Sequence, residues 1–381
     1  MNCNSLGYRI MMTALAAIMM SFAWPLRGQF GHEWGAAITG GMAGSLGVLL
    51  IPSAVFRGAF AQAVFFGTLG FILGSENLPY GATVDYILQQ PSLLSSIPQL
   101  LELLFIGASW GCVGSLYLGL GLSEKAVSFR DYIVISLSGI ALIALTFFLD
   151  SKTEVIAIFT LLILFLFLYN ARAVKSQTIQ DMGIAGLLGF GFGFVGAVMI
   201  LFWGNKGYLP GPPDWWTLRD QIWGGLGGLA LALTAWKAFE RKDAPVLLNS
   251  TGFQRFGFIF FTTGICAYNT WDVYQKWFKS SPPAPEPLVA AALLASGAAV
   301  LLAALFYFLA VPEAVFSGSK LNKTLLGTFL MFSLYLAFFA IAKSIVYSGW
   351  GVWETGFTLF VFNSVLFVFV MPFILLGSEN S

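Results

Sequence analysis

Long apolar stretches are the feature that most constrains this chain. The stretch Ile156–Leu168, for example, carries no charge and does not alternate between polar and apolar positions. About 20 helical residues cross a hydrocarbon layer roughly 30 Å thick, and helix is required there because lipid offers no partners for unpaired backbone groups. Stretches of that length recur along the chain, so the sequence predicts an all-α polytopic membrane protein.

The composition excludes an ordinary soluble protein. Hydrophobic residues make up 58% of the chain and charged residues only 10%, against roughly 45–50% and about 25% in soluble domains. The mean hydropathy is +0.82. With 19 basic and 18 acidic residues the net charge is +1, so no global field favours nucleic acid. We therefore expect the lipid bilayer, and no nucleic acid, as a partner.

Hydropathy divides the chain into about twelve transmembrane helices joined by mostly short connections. The predicted spans are 9–24, 33–53, 58–75, 98–122, 131–149, 154–171, 181–203, 218–239, 255–275, 286–311, 323–347 and 354–376. Pro and Gly residues are dense in the two longest connections, as is typical of turns and surface loops. We interpret residues 1–381 as a single transmembrane domain.

The distribution of basic residues predicts the orientation of these spans. With both termini in the cytoplasm, about twelve Lys and Arg residues fall on the inner side and about seven on the outer side, as the positive-inside rule requires. This split favours cytoplasmic termini in a bacterial inner (plasma) membrane protein.

Twelve spans with cytoplasmic ends are compatible with two six-helix halves, residues 1–175 and 176–381. Spans two and eight would then correspond. Arg27 precedes Trp34 at the start of the former, and Arg219 precedes Trp223 at the start of the latter, although the two spacings differ.

Glycines are spaced for close helix packing in several spans. Pairs four residues apart let two backbones approach closely, which is common in membrane helices. These pairs are Gly40/Gly44, Gly70/Gly74, Gly107/Gly111, Gly189/Gly193 and Gly224/Gly228. The pattern predicts tight static packing, and smooth helix faces of this kind could also slide.

A polar group of residues stands at the predicted outer end of span two. His32 is the only histidine of the chain and is followed by Glu33; such a pair could exchange protons near neutral pH. Arg27 could hold an anionic group through two parallel hydrogen bonds. A structural alternative is a polar helix start. In it the negative charge of Glu33 would interact favourably with the helix dipole, and Arg27 would reach the lipid headgroups.

Three further ionisable residues are predicted on the same side. Glu102 begins span four, and Arg219 and Asp220 begin span eight. If these spans are neighbours, the three residues could line one chamber with the group around His32; each taken alone is more typical of an interfacial anchor. Asp181 is expected to cap span seven from the cytoplasmic side.

Aromatic residues accompany these charges. Trp34, Trp110 and Trp223 could provide an aromatic wall for a sugar or an organic cation, although tryptophans of membrane proteins more often form interfacial belts. Asn269 and Asp272 of span nine form a second candidate lining element, or else an interhelical hydrogen-bonded contact.

These features favour a secondary transporter for a small polar or anionic solute, which could be proton-coupled (a symporter). In it Arg27 and Arg219 would clamp the solute, and His32 with Glu33 or Glu102 would carry the proton. We expect no cofactor, no metal site and no catalytic residue.

The alternative is a membrane-embedded transferase or hydrolase acting on a lipid-linked substrate at the extracytoplasmic face, with His32 as general base. A noncatalytic membrane scaffold is a third hypothesis.

Overall fold

The computed structural model describes residues 5–30, 32–75, 80–149, 151–210 and 215–247; of residues 26–30, 32–34, 37, 38, 54, 57 and 61 it describes the backbone only. Within these ranges the secondary structure is helical, without strands. The α-helices are α1 (Leu6–Phe30), α2 (His32–Leu49), α3 (Ala54–Gly58), α4 (Phe60–Ser75), α5 (Gly81–Gln89), α6 (Ile97–Gly121), α7 (Phe129–Thr146), α8 (Lys152–Tyr169), α9 (Gln177–Asn205) and α10 (Trp215–Glu240).

Each of the eight spans predicted before residue 240 coincides with a helix: α1, α2, α4, and α6 to α10. Six helices of the described chain are long and apolar enough to cross a membrane, namely α1, α6, α7, α8, α9 and α10. The apolar part of α4, Gln62–Ser75, is shorter. The four remaining predicted spans lie outside the described residues, so twelve spans and two halves stay predictions.

Six helices form a closed ring. Following the contacts around the ring, α1 packs on α2, α2 on α4, α4 on α6, α6 on α9, α9 on α10, and α10 returns to α1. Neighbouring ring helices run antiparallel. At one end of the ring α1, α4 and α9 finish while α2, α6 and α10 begin; we call this the Arg219 end and the opposite end the Arg241 end.

Glycine makes these ring contacts possible. A Cβ added to Gly40 of α2 would collide with the carbonyl of Gly67 in α4, and one added to Gly224 of α10 would lie 2.5 Å from Cβ of Trp24 in α1. All five predicted glycine pairs lie at such helix contacts. The prediction of tight packing is thereby confirmed.

Helices α7 and α8 lie outside the ring. In an apolar 18-residue segment of each span, 22% of the residues of α7 and 28% of those of α8 are buried. The corresponding share is 83% for α6, which packs between α4 and α9. The outward faces of α7 and α8 consist of large apolar side chains such as Leu137, Leu161 and Leu164. Apolar surface of this kind suits contact with lipid tails.

Polar contacts join the helices at the Arg241 end. Arg9 of α1 pairs with Glu240 of α10, and Asp181 of α9 pairs with Arg241 and, at 3.2 Å, with Lys237. The expectation that Asp181 caps its helix is wrong. Helix α9 begins at Gln177, one turn earlier, so Asp181 lies within the helix and binds the neighbouring one instead.

Helix α9 is capped by residues from two other places. The hydroxyl of Ser176 accepts a hydrogen bond from the N–H of Ile179. The Glu124 carboxylate, from the α6–α7 connection, accepts from the N–H of Gln177 at 2.8 Å and of Thr178 at 3.3 Å. These acceptors satisfy the first N–H groups of the helix, which have no partners within it.

Candidate functional site

An aromatic cluster fills the ring towards the Arg219 end. Its six members are fully buried and come from five of the six ring helices: Trp24 (α1), Phe71 (α4), Trp110 (α6), Phe190 and Phe194 (α9) and Trp223 (α10). The Trp24 ring lies 4.8 Å from Trp223 and 5.4 Å from Trp110, while Trp223 stacks on Phe194 at 3.9 Å. These aromatic side chains therefore block the central axis of the helix ring.

Hydrogen bonds fix two of these tryptophans. The indole N–H of Trp223 donates to the carbonyl of Phe190 at 2.9 Å, and that of Trp110 donates to the carbonyl of Phe71 at 3.2 Å. A buried indole needs such a partner, because leaving its N–H unpaired costs free energy. The predicted wall residues Trp110 and Trp223 thus meet in the interior, with ring centroids 5.1 Å apart, rather than in an interfacial belt.

Arg219 and Asp220 lie one helical turn above Trp223, towards the end of the ring. The Nε and Nη2 atoms of Arg219 donate to Oδ1 of Asp220 at 2.9 and 2.5 Å, and the guanidinium lies 4.6 Å from the ring of Trp216. Only 4% of Arg219 and 8% of Asp220 is exposed. Removing both charges of such a pair from water costs free energy that their mutual attraction often does not recover. The burial of Arg219 and Asp220 is therefore weak evidence that the pair serves only to stabilise the fold.

One nitrogen of this arginine is left over. Nη1 of Arg219 is buried and makes no hydrogen bond with any residue in the described part of the chain. Buried donors are nearly always paired, and an unmade bond to a charged group is costly. The guanidinium therefore presents a donor suited to an oxygen of a bound molecule.

Glu102 takes part in a different set of contacts. Its carboxylate accepts a hydrogen bond from the hydroxyl of Thr83 in α5 at 2.7 Å and lies 3.5 Å from Nζ of Lys152 in α8. Lys152 also donates to Thr83 at 3.2 Å. This triad ties α5 and α8 to α6, so Glu102 acts there as an interhelical contact rather than as a partner of Arg219.

The structure describes the remaining predicted site residues only in part. Arg27 belongs to the last turn of α1, and His32, Glu33 and Trp34 to the first turn of α2, so their backbones lie at the Arg219 end. Their side chains fall outside the description, and Asn269 and Asp272 lie outside the described residues altogether.

A small apolar cavity lies on the other side of the aromatic cluster. It is lined by Ala16, Met20, Ala43, Leu46, Gly47, Leu118, Met182, Gly228, Leu231 and Ala232, from five of the six ring helices, and has room for about one water molecule. Within the described ranges, no three His, Cys, Asp or Glu side chains are grouped to hold a metal ion.

No protein family, curated protein or solved structure matches this chain. The arrangement of residues therefore carries the functional argument by itself. Chemically, it combines a buried guanidinium, one of whose donors is unpaired within the described ranges, with an aromatic barrier beneath it and an apolar space beyond the barrier.

Sequence reasoning missed most of the aromatic barrier. Trp24, Phe71, Phe190 and Phe194 were not predicted as site residues. Phe190 and Phe194 are four positions apart and so share one helix face, and both stand among the glycines of α9. Large rings beside small residues on one face are the signal that could have identified them.

Proposed function

We propose that this protein is a secondary transporter for a small polar or anionic solute in a bacterial inner membrane. The observation that carries the proposal is the buried Arg219, whose Nη1 has no hydrogen-bond partner among the described residues and lies directly above an aromatic barrier on the axis of a helix ring. A charged donor in such a place is costly unless it binds something.

The ring offers a physical route for alternating access. The aromatic cluster separates the Arg219 end from the apolar cavity, so a solute held at Arg219 crosses only when the rings move apart. Contacts between glycine faces keep the backbones close without interlocking side chains, which allows one helix to rock against the next. Ion pairs such as Asp181 with Arg241 would open and reform at the far end.

Energy for uphill movement would come from a proton gradient. His32 and Glu33 stand in the first turn of α2 at the Arg219 end, and an imidazole titrates near neutral pH. In this proposal the protein is a proton symporter with twelve transmembrane helices, both termini in the cytoplasm and two six-helix halves. Its partners are the lipid bilayer and the solute.

Counterflow in proteoliposomes tests the proposal. Vesicles containing the full chain are loaded with unlabelled solute and mixed with trace labelled acetate, succinate, alanine, glucose or phosphate in turn. Transient accumulation of one label above its equilibrium level supports transport. Accumulation of none, together with product formation from a lipid-linked substrate by the detergent-solubilised protein, would establish the enzyme instead.

Proton coupling is tested separately. His32→Ala and Glu33→Gln should each flatten the dependence of uptake on external pH, because each removes a group that exchanges the coupled proton. Uptake with an unchanged pH profile in both variants would remove these residues from the mechanism while leaving transport itself intact.

A further inference from the structure

Four basic residues lie together at the Arg241 end, on the side of the ring that α7 and α8 cover. They belong to the α6–α7 connection, the start of α7 and the α8–α9 connection, and all four are exposed: Lys125, Arg130, Arg172 and Lys175. We call this group the basic corner. Within the described ranges none of its members forms a salt bridge. Their charges are therefore accessible to an anion from outside the chain.

The two lysines of the basic corner meet where the α6–α7 connection touches the start of α9. The Glu124 carboxylate accepts a hydrogen bond from the Ser176 hydroxyl at 2.8 Å. Lys125 follows Glu124 and Lys175 precedes Ser176. The contact between the two connections therefore places both lysines at the same edge of the protein.

The two arginines lie beside the contact between α7 and α8. The hydroxyl of Tyr169, at the end of α8, donates to the Asp131 carboxylate in the first turn of α7 at 2.6 Å. Arg130 precedes Asp131, and Arg172 lies three residues after Tyr169. Both arginines thus stand at the adjoining ends of α7 and α8, at the edge that carries the lysines.

Positive charge exceeds negative charge at this corner. Its four bases face two carboxylates, Glu124 and Asp131, which leaves a net charge of +2. Both carboxylates already accept hydrogen bonds from backbone N–H groups. The α10 side of the same end is different, because Arg9 pairs there with Glu240 and Arg241 pairs with Asp181. Excess charge of this kind, close to lipid, attracts anionic headgroups.

Apolar faces continue from the basic corner along both helices. Phe129, Ile133 and Leu137 follow one another at intervals of four residues on α7, and all three are exposed. Leu168 and Leu164 are exposed in the same way on α8. Residues four apart share a helix face. A row of bases above two long apolar faces matches the two parts of a phospholipid, a charged headgroup and acyl chains.

We propose that the basic corner and the exposed faces of α7 and α8 bind an anionic phospholipid. Its phosphate lies against the four bases, where a guanidinium can donate to two phosphate oxygens at once, and its acyl chains lie along the two helices. Bound there, the lipid links the α6–α7 connection to the α8–α9 connection. The site lies outside the helix ring, so this inference does not depend on transport.

Native mass spectrometry of the full chain, released from a neutral detergent, tests the site. The protein is titrated with phosphatidylglycerol or with phosphatidylcholine, whose choline group cancels the phosphate charge. Phosphatidylglycerol should bind with a Kd at least roughly fivefold lower. Inorganic phosphate at the concentration of the lipid should not displace it, because free phosphate has no acyl chains to contact α7 and α8.

Two matched double variants distinguish this site from a generally basic surface. Lys125→Gln/Lys175→Gln removes two exposed lysines from the basic corner, and Lys237→Gln/Lys242→Gln removes two exposed lysines from α10 and its end. Lys175 and Lys242 also share a left-handed backbone, with φ of 59° and 61°. The first variant should raise the Kd for phosphatidylglycerol by roughly thirtyfold, about fivefold per charge, and the second by less than about twofold.

The inference is overturned by equal effects of the two double variants, by equal affinity for the two lipids, or by displacement with inorganic phosphate. Arg130→Gln/Arg172→Gln gives a second test at the contact between α7 and α8, and an unchanged Kd in that variant would also overturn it. These substitutions replace exposed side chains, so the variants should fold. Lipid binding without counterflow would refute transport alone.

Discussion

Gly111 of α6 and Gly186 of α9 face each other so closely that a Cβ on either would collide with the carbonyl oxygen of the other. The contact is reciprocal, and neither helix can accept even a methyl group there without moving. Helix α9 also offers a matched position, Gly196, where an added Cβ meets nothing within 4 Å.

Gly186→Ala should destabilise the protein by about 1–3 kcal/mol, because the methyl group pushes α9 away from α6. Gly196→Ala should be neutral or stabilising by up to about 1 kcal/mol, since alanine is the better helix former. Equilibrium unfolding in mixed detergent micelles measures both. Equal effects of the two substitutions would contradict the close approach.

The spans of the first 240 residues could be predicted because hydropathy depends on local sequence alone. The ring could not, because which glycine face meets which depends on contacts between distant segments. The end of α1 was also missed: the first predicted span stops at residue 24, yet the helix continues to Phe30.

Glu124 should stabilise the start of α9 in a pH-dependent way. Burial raises the pKa of this carboxyl, but hydrogen bonds from its own backbone N–H, the Ser176 hydroxyl and the N–H of Gln177 outweigh burial and hold the pKa below its ordinary value of 4.5. A lowered pKa means that the stabilisation is complete above pH 4.5 and is lost as the pH falls through the folded-state value.

Glu124→Gln should therefore cost about 1 kcal/mol at pH 7, the typical value of a helix cap. The difference from wild type should shrink as the pH drops below the pKa of the folded protein. Glu154→Gln, at an exposed position, should change stability by less than about 0.5 kcal/mol. A Glu124 effect that is constant with pH would show that the carboxylate charge is irrelevant.

Asp181 should couple more strongly to Arg241 than to Lys237. The Arg241 side chain is 29% exposed and also binds Asp243 at 2.7 Å, whereas 60% of the Lys237 side chain is exposed. Double-mutant cycles with Asp181→Asn should give about 1–2 kcal/mol for Arg241→Gln and less than about 0.5 kcal/mol for Lys237→Gln. Similar coupling energies for both pairs would argue against a specific link between α9 and α10.

Trp223→Phe should cost about 1 kcal/mol, since the ring remains but the hydrogen bond to the Phe190 carbonyl is lost. Trp203, on the exposed side of α9 (37% exposed), provides the control: Trp203→Phe should lie within about 0.5 kcal/mol of wild type. Comparable losses in the two variants would mean that the indole N–H of Trp223 contributes nothing to fixing the barrier.

The site was predicted less completely than the spans. Sequence placed Arg219, Asp220, Trp110 and Trp223 among the candidates, and the fold brings these four into one buried region. It also predicted that Glu102 could join them, but hydropathy cannot tell which neighbour a helix end will face. Glu102 binds Lys152 instead.

Labelled-solute counterflow with the double variant Arg219→Gln/Asp220→Asn tests the central claim most directly. Changing both residues avoids leaving a buried carboxylate unpaired, which alone would cost about 3–5 kcal/mol. With the solute that the wild type exchanges, the account predicts at least a roughly tenfold loss of exchange in the double variant, and wild-type exchange in Lys206→Gln. Wild-type exchange by a folded double variant would contradict it.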